Sequence, residues 1–302
     1  MIPEFPQFKS IELSDKEEVE KITHKYPPYS DFNFVSMWSW DIKGEMLISM
    51  LHGNLVVGFT DYLTGEPFYS FLGNNEVNDT VEKLLELSKK EGSINPTLKL
   101  VPEDSIKGLD EKKFKIIEDR NHFDYVYDLK KLSEYKGSEY HIKRNSISSL
   151  LRKTQNIYTK KIDHQDEKNK YHIFSLNNEW LAHKKSKDPF FNIPNELIAI
   201  NKFLSANFKN AYAVGVFEGE KMIAYFIGEI LSNDHAVGHF CKATKYNGLF
   251  ELIMKESSVI SLDLHVRFLN FEQDLGVDGL RTSKMSYRPV NFLKKYLITK
   301  VE

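Results

Sequence analysis

Residues 212–260 read YAVGVFEGEKMIAYFIGEILSNDHAVGHFCKATKYNGLFELIMKESSVI. Tyr212–Phe217 and Met222–Leu231 are long apolar runs around the turn signal Glu218-Gly219-Glu220, which predicts a β-hairpin. Ser232-Asn233-Asp234 turns the chain into a third strand, His235–Cys241. Asn247-Gly248 ends that strand, and Leu249–Ile260 carries apolar residues at helical spacing. Outward from this block, Asn177–Lys185 and Glu196–Phe208 read as helices before it, and Arg267–Phe271 as a strand after it.

The first part of the chain repeats the order. Phe8–Leu13 is strand-like, and Ser14 caps a helix that opens on acids, which suit the positive end of the helix dipole. The segment YPPYSDFNFVSMWSW is a turn followed by a short aromatic helix. Glu45–Leu51 and Leu55–Thr60 flank His52-Gly53-Asn54 as a hairpin. Pro67–Leu72 is a third strand, Val77–Glu91 a helix, and Thr97–Val101 a strand stopped by Pro102. Helix, hairpin, strand, helix, strand in each half predicts an α/β protein with mixed sheets, made by structural duplication, with domains at 1–125 and 126–302. No Pro/Ser-rich linker parts the halves, so rigid packing is expected, with a ligand cleft at their junction. The first half has no comparable charged loop and is expected to be scaffold.

Bulk properties exclude several classes. The chain has 302 residues, 41% hydrophobic and 28% charged, which is a globular and not a disordered composition. A net charge of -2 gives no general attraction to DNA or to an acidic membrane. The single cysteine, Cys241, rules out an internal disulfide and a cysteine-built zinc site; its apolar strand setting suggests a buried, inert thiol. His235 and His239 share a strand face, but no HExxH-type spacing exists, so no metal is expected. There is no transmembrane run of apolar residues, and MIPEFPQFKS lacks the features of a signal peptide, so a cytoplasmic protein is expected.

Three constellations offer chemistry. The loop KATKYNGLFEL places Gly248 at a helix start with Lys242 and Lys245 nearby. Free amides and the dipole at such a point bind anions, although an ordinary turn would look the same. Glu139–Leu151 reads as a helix carrying Lys143, Arg144 and Asn145, suited to phosphate or carboxylate groups or to plain solvation. Tyr125, Tyr127 and Asp128 precede it. Asn270–Pro289, NFEQDLGVDGLRTSKMSYRP, packs Glu272, Asp274, Asp278, Arg281, Lys284, Tyr287 and Arg288 around Gly276 and Gly279. That is either a binding or catalytic loop or a solvated network of self-paired charges.

The strand order of residues 212–271 resembles the core of the acyl-CoA N-acyltransferase (GNAT) fold, in which the loop after the fourth strand binds a pyrophosphate. KATKYNGLFEL lacks the glycine-rich pattern of a good coenzyme A cradle. YVYDLKKLSEYKGSEYHIKRNSI and NFEQDLGVDGLRTSKMSYRPVNFLKKY together resemble a bacterial family similar to the C-terminal catalytic domain of the phosphatidylglycerol lysyltransferases. The family is more distantly similar to the Fem-type aminoacyltransferases. The matching residues are Asp128, Leu129, Lys143, Arg144 and Asn145, then Asn270, Glu272, Asp274, Gly276, Gly279, Leu280, Arg281, Lys284, Tyr287 and Pro289.

The resemblance implies tandem GNAT-like domains and transfer of an acyl or aminoacyl group to an amine or hydroxyl on a small molecule or peptide. Aminoacyl-tRNA or acyl-CoA is the donor it suggests, with a coenzyme A-dependent N-acetyltransferase or a non-catalytic ligand-binding protein as alternatives. No membrane-embedded half like that of the lysyltransferases is seen, so a lipid acceptor is not implied. No sustained heptad run provides a tRNA-binding arm. In this scheme Glu272 or Asp274, on one strand face, is the base, and Tyr287 donates or orients. Arg281 and Lys284 bind anion or oxyanion, Lys143 and Arg144 hold a donor phosphate, and Asn145, Asn270 and Arg288 line the substrate site. Lys245 and Gly248 would serve a cofactor.

Overall fold

The computed structural model describes residues 1–61, 64–154, 156–187, 194–231, 234–244 and 246–301. They form two compact units. One is Met1–Tyr125 with Gln273–Thr282 and Phe292–Glu302, and the other is Val126–Glu272 with Ser283–Asn291. Two C-terminal segments therefore join the first unit, where contiguous halves at 1–125 and 126–302 were expected.

The first unit begins with β1 (Lys9–Ser10), α1 (Lys16–Thr23), α2 (Phe34–Trp40), β2 (Leu47–Leu51), β3 (Asn54–Thr60) and β4 (Pro67–Leu72). β1 to β4 make an antiparallel sheet in sequence order. Leu51 pairs with Asn54, which leaves His52 and Gly53 as a two-residue turn with φ of 55° and 76°. Positive φ at both positions is what a tight hairpin matching the strand twist demands. α3 (Val77–Lys90) follows, then β5 (Leu98–Pro102) and β6 (Phe114–Glu118). Val77, Val81, Leu84 and Leu85 bury one stripe of α3 in a core with Phe71, Leu98, Val101, Phe114 and Ile298.

Ile298 comes from the last strand, Lys295–Lys300, which lies between β5 and β6 and is antiparallel to both. This is why the C-terminus belongs to the first unit. The strand opens on Lys295, which is fully buried. Its ammonium reaches Asp124 at 2.7 Å and Gln273 Oε1 at 2.8 Å, and it also pairs with Asp31. Burial opposes its charge, but the two carboxylates outweigh that and hold its pKa above the ordinary lysine value.

The second unit is built on a seven-stranded sheet. Its elements are β7 (Asp124–Asp128), α4 (Leu129–Glu134), α5 (His141–Lys153), β8 (Ile157–Ile162), α6 (Glu167–Lys187), α7 (Pro194–Ser205), β9 (Ala211–Glu218), β10 (Lys221–Ile230), β11 (His235–Ala243), α8 (Leu249–Asp263) and β12 (Phe268–Asn270). α9 (Asp278–Met285), β13 (Asn291–Leu293) and the closing strand, β14, follow. The order is β13-β7-β12-β11-β10-β9-β8. Asp128 ends β7 and caps α4 by accepting from the amides of Lys130 and Lys131. Every residue of β10 from Met222 to Glu229 is buried, because α8 covers β9 to β11 and α6 packs on β10 and β11. The hairpin, third strand, helix and strand read from residues 212–271 are all present.

β11 pairs with β12 in parallel through only three positions, His235–Val237 against Phe268–Asn270. Beyond Val237, β11 runs on to Ala243 along β10. The two strands therefore part. A parting of parallel neighbours at the C-terminal ends of strands is a recurrent place for ligands in α/β proteins.

Candidate active site

Where β12 stops, the chain turns sharply. Asn270 is fully buried, and its side-chain oxygen accepts from the Glu272 amide at 2.8 Å. Glu272 and Leu275 lie at φ of 55° and 54°. The expected strand alternation therefore ends at Asn270. Glu272 and Asp274 do not form one strand face, and they belong to different units.

Asp274 is the anchor of a network in the first unit. Its fully buried carboxylate accepts from Arg120 Nη1 at 3.2 Å, Arg281 Nε at 3.0 Å and Arg281 Nη2 at 2.9 Å. It also accepts from the Tyr125 hydroxyl at 2.5 Å and the Gly276 amide at 2.9 Å. Burial alone would raise its pKa. Hydrogen bonds from Arg281, Tyr125 and Gly276 more than offset that and hold it at about 2. A carboxylate so stabilised is a poor general base, which corrects the base role expected for Asp274. Arg281 is a ligand of that carboxylate, also donating to Asn121 Oδ1 at 2.7 Å. Arg120 is a partner that the sequence did not suggest.

Lys284 belongs to the second unit. α9 turns its side chain inward, where the ammonium donates to the Phe271 carbonyl and lies 3.5 Å from that of Glu272 and 4.5 Å from the Phe271 ring centre. Phe271 directly follows β12, whose pairing with β11 ends at Asn270, so the ammonium sits where the two strands part. The Cys241 thiol is pushed up to about 12, chiefly by burial, which suits an inert packing residue. Tyr127 donates to the Lys284 carbonyl at 3.0 Å.

One turn on, Tyr287 is buried among Tyr127, Tyr135 and Phe250. Burial drives its pKa well above the ordinary value. The Lys143 ammonium sits 3.3 Å from the Tyr287 ring centre, with Ser286 Oγ at 3.0 Å and Glu251 at 3.8 Å. Burial lowers the pKa of Lys143, and Glu251 partly restores it. Lys143 thus faces the protein interior, which corrects the expectation that it holds a donor phosphate. Arg144 is exposed, yet its guanidinium donates to the Tyr135 and Gly137 carbonyls, the latter at 2.6 Å. It ties the α4–α5 connection together. Asn145 and Arg288 are exposed, Arg288 at φ 56°.

Lys245 lies outside the described residues, and Lys242 is paired with Glu196 at 2.6 Å. Gly248 caps α8 at φ 91°, and a β-carbon there would lie 2.3 Å from the Ser146 carbonyl oxygen of α5. Its open side is therefore filled by protein backbone. Glu251 in the first turn of α8 adds a negative charge where a pyrophosphate would need none. These residues do not fit a coenzyme A cradle. Gly248→Ala should lower stability by about 2–4 kcal/mol, from positive φ and overpacking together. Denaturant unfolding checks this, and a near-neutral variant would show that α5 and α8 can separate at no cost.

The histidines divide. His239 lies 3.4 Å from buried Glu229, and His235 stacks on Phe268. Among the described residues, His52, Glu76 and Asp79 cluster closely enough to hold a metal ion, but His52 already meets Asp79 at 2.5 Å and Lys83 meets Asp79 at 2.6 Å.

Residues 29–299 match the family model for the C-terminal region of phosphatidylglycerol lysyltransferase. The chain belongs to that family. No curated protein matches it significantly. Among solved structures, a conserved protein of unknown function from Bacteroides thetaiotaomicron is 24% identical, covering 100% of both chains with a TM-score of 0.82. The C-terminal domain of a putative lysylphosphatidylglycerol synthetase from Agrobacterium fabrum is 13% identical, with a TM-score of 0.67 over 96% of this chain and 92% of its own. L-PGS from Bacillus licheniformis is 12% identical, with a TM-score of 0.62 over 99% and 93%. At these identities the likeness establishes a shared fold.

The phosphatidylglycerol lysyltransferase C-terminal family, together with that fold, makes this an acyltransferase-like chain of tandem GNAT-like architecture. The matched span takes in both the Lys284 and the Asp274 networks. Among the described residues, no helix is long and apolar enough to cross a membrane.

Proposed function

We propose that the chain moves an acyl or aminoacyl group from an activated ester to an amine or hydroxyl of a small molecule or peptide, in the cytoplasm. The observation that carries this is the buried Lys284 ammonium, cradled by backbone carbonyls where β11 and β12 part. Attack on an ester builds negative charge on its carbonyl oxygen, and a preorganised cation in a dry site stabilises that charge. As the new C–N or C–O bond forms, the acceptor loses a proton and the ester C–O bond breaks. Glu272, next to Phe271, takes that proton and returns it to the departing alkoxide. Tyr287 and Lys143 hold the α9 end against α5 and α8, and so fix Lys284.

The closed Gly248 turn favours an aminoacyl-tRNA donor over acyl-CoA, and the family's name favours a lysyl group. Radiolabelled lysyl-tRNA with a panel of free amines and amino acids is the test, run beside thermal shift with acetyl-coenzyme A. Label should move to an acceptor. Strong stabilisation by acetyl-coenzyme A with no movement of label would overturn the reading.

A further inference from the structure

We infer that Arg120 and Arg281 together form a phosphate-binding site on the first unit. Two guanidinium groups converge on one carboxylate, Asp274, so the cluster carries an excess positive charge. Both side chains remain about one-third exposed, at 37% and 33%, while Asp274 is fully buried. The carboxylate accepts five hydrogen bonds, which saturates its lone pairs. A guanidinium has five N–H donors, so each arginine keeps N–H groups beyond those it spends on Asp274, Tyr125 and Asn121.

The cluster is also preorganised. The Arg120 guanidinium lies 4.8 Å from the Phe292 ring centre, 5.3 Å from Tyr125 and 5.5 Å from Phe123, and it hydrogen-bonds the Tyr125 hydroxyl at 3.0 Å. Arg281 is held by Asp274 and by Asn121, whose NH2 group is a further donor. Asp119 pairs with His122 and Glu118 with Lys294, each at 2.7 Å, and Asp278, three residues before Arg281 on α9, is exposed. Fixed planar forks lose little freedom on binding and match the oxygens of a phosphate. The ligand is a phosphate group, carried either by a small phosphate ester or by an RNA backbone. This deepens the transfer reading, which needs a place for a phosphate-bearing donor, but binding is measured without turnover.

The experiment is isothermal titration of the full chain at low ionic strength with inorganic pyrophosphate and, separately, with a short RNA hairpin ending in CCA. Wild type should bind saturably. Arg281→Gln and Arg120→Gln should each weaken binding at least tenfold, while Arg152→Gln, on the exposed side of α5, should not. Tighter binding of RNA than of pyrophosphate assigns the backbone source, and the reverse assigns a small ester. If Arg281→Gln melts early, Arg281→Lys is read instead. It keeps a cation for Asp274 but loses the fork, and should still bind several-fold more weakly. Absence of saturable binding by wild type, or equal affinity in the Arg281 variants, overturns the site.

Discussion

Lys284→Met should lower the transfer rate by about 10²–10³-fold, the usual cost of removing one preorganised oxyanion donor. Methionine keeps the apolar stem of lysine out to Cε, so the change removes the ammonium, with its hydrogen bonds and its contact with the Phe271 ring, and little else. The Phe271 carbonyl then loses a donor, costing about 1–3 kcal/mol of stability. Single-turnover rates with lysyl-tRNA separate this from weaker binding, because the loss should fall on the rate at saturation. A variant that binds and turns over like wild type would make Lys284 a structural cation. A variant that unfolds would leave Glu272→Gln to carry the test, since that change removes the proton acceptor and keeps the volume.

The second large effect is on stability. Asp274→Ala leaves two guanidiniums and the Tyr125 hydroxyl without their shared acceptor. Breaking a buried charged network costs about 3–5 kcal/mol, and the partial exposure of both arginines argues for the lower end. Thermal unfolding should show a fall of roughly 6–12 °C. The same carboxylate predicts an acid limb. Its folded pKa, about 2, lies below the ordinary 3.8, so between those values the unfolded chain binds more protons. The contribution is complete above about pH 4 and is lost as pH falls through about 2. Asp274→Asn should flatten that stretch of the stability profile. An unaltered profile would mean that other carboxylates set the acid limb.

Where the pattern of side chains was simple, it could be read. The residue 212–260 block gives three strands and a helix, because its apolar runs are long and glycines mark the hairpin turn and the start of the helix; the turn expected at Ser232-Asn233 lies outside the described residues. β14 is hidden for a physical reason: NFLKKYLITK looks solvated because of its lysines, yet Lys295 is fully buried and paid for by distant acids. β8 is hidden by the exposed charges Lys160 and Lys161 at a sheet edge.

The site shows the same limit. Lys143 and Arg144 are adjacent and look alike in sequence, but helix geometry turns one into the protein and leaves the other on the surface. Arg120 carried no signal, since nothing in its neighbourhood announces a carboxylate 154 residues away. Charge density marks out the segment from Asn270 to Pro289, but it does not tell which of its charges are engaged with partners distant in sequence, as Asp274 is with Arg120.

The position of β14 bears on how the protein is made. A ribosome releases Met1–Tyr125 long before Lys295–Lys300, yet β5 and β6 have β14 as their shared neighbour. Until that strand emerges, β5 and β6 keep open edges, and Asp31 and Asp124 lack their ammonium. The nascent first unit therefore waits, incomplete, while the continuous stretch Val126–Glu272 emerges. Long-range closure of this kind is slow, and a chain cut short before Lys295 should be prone to aggregate, not to settle as half a protein.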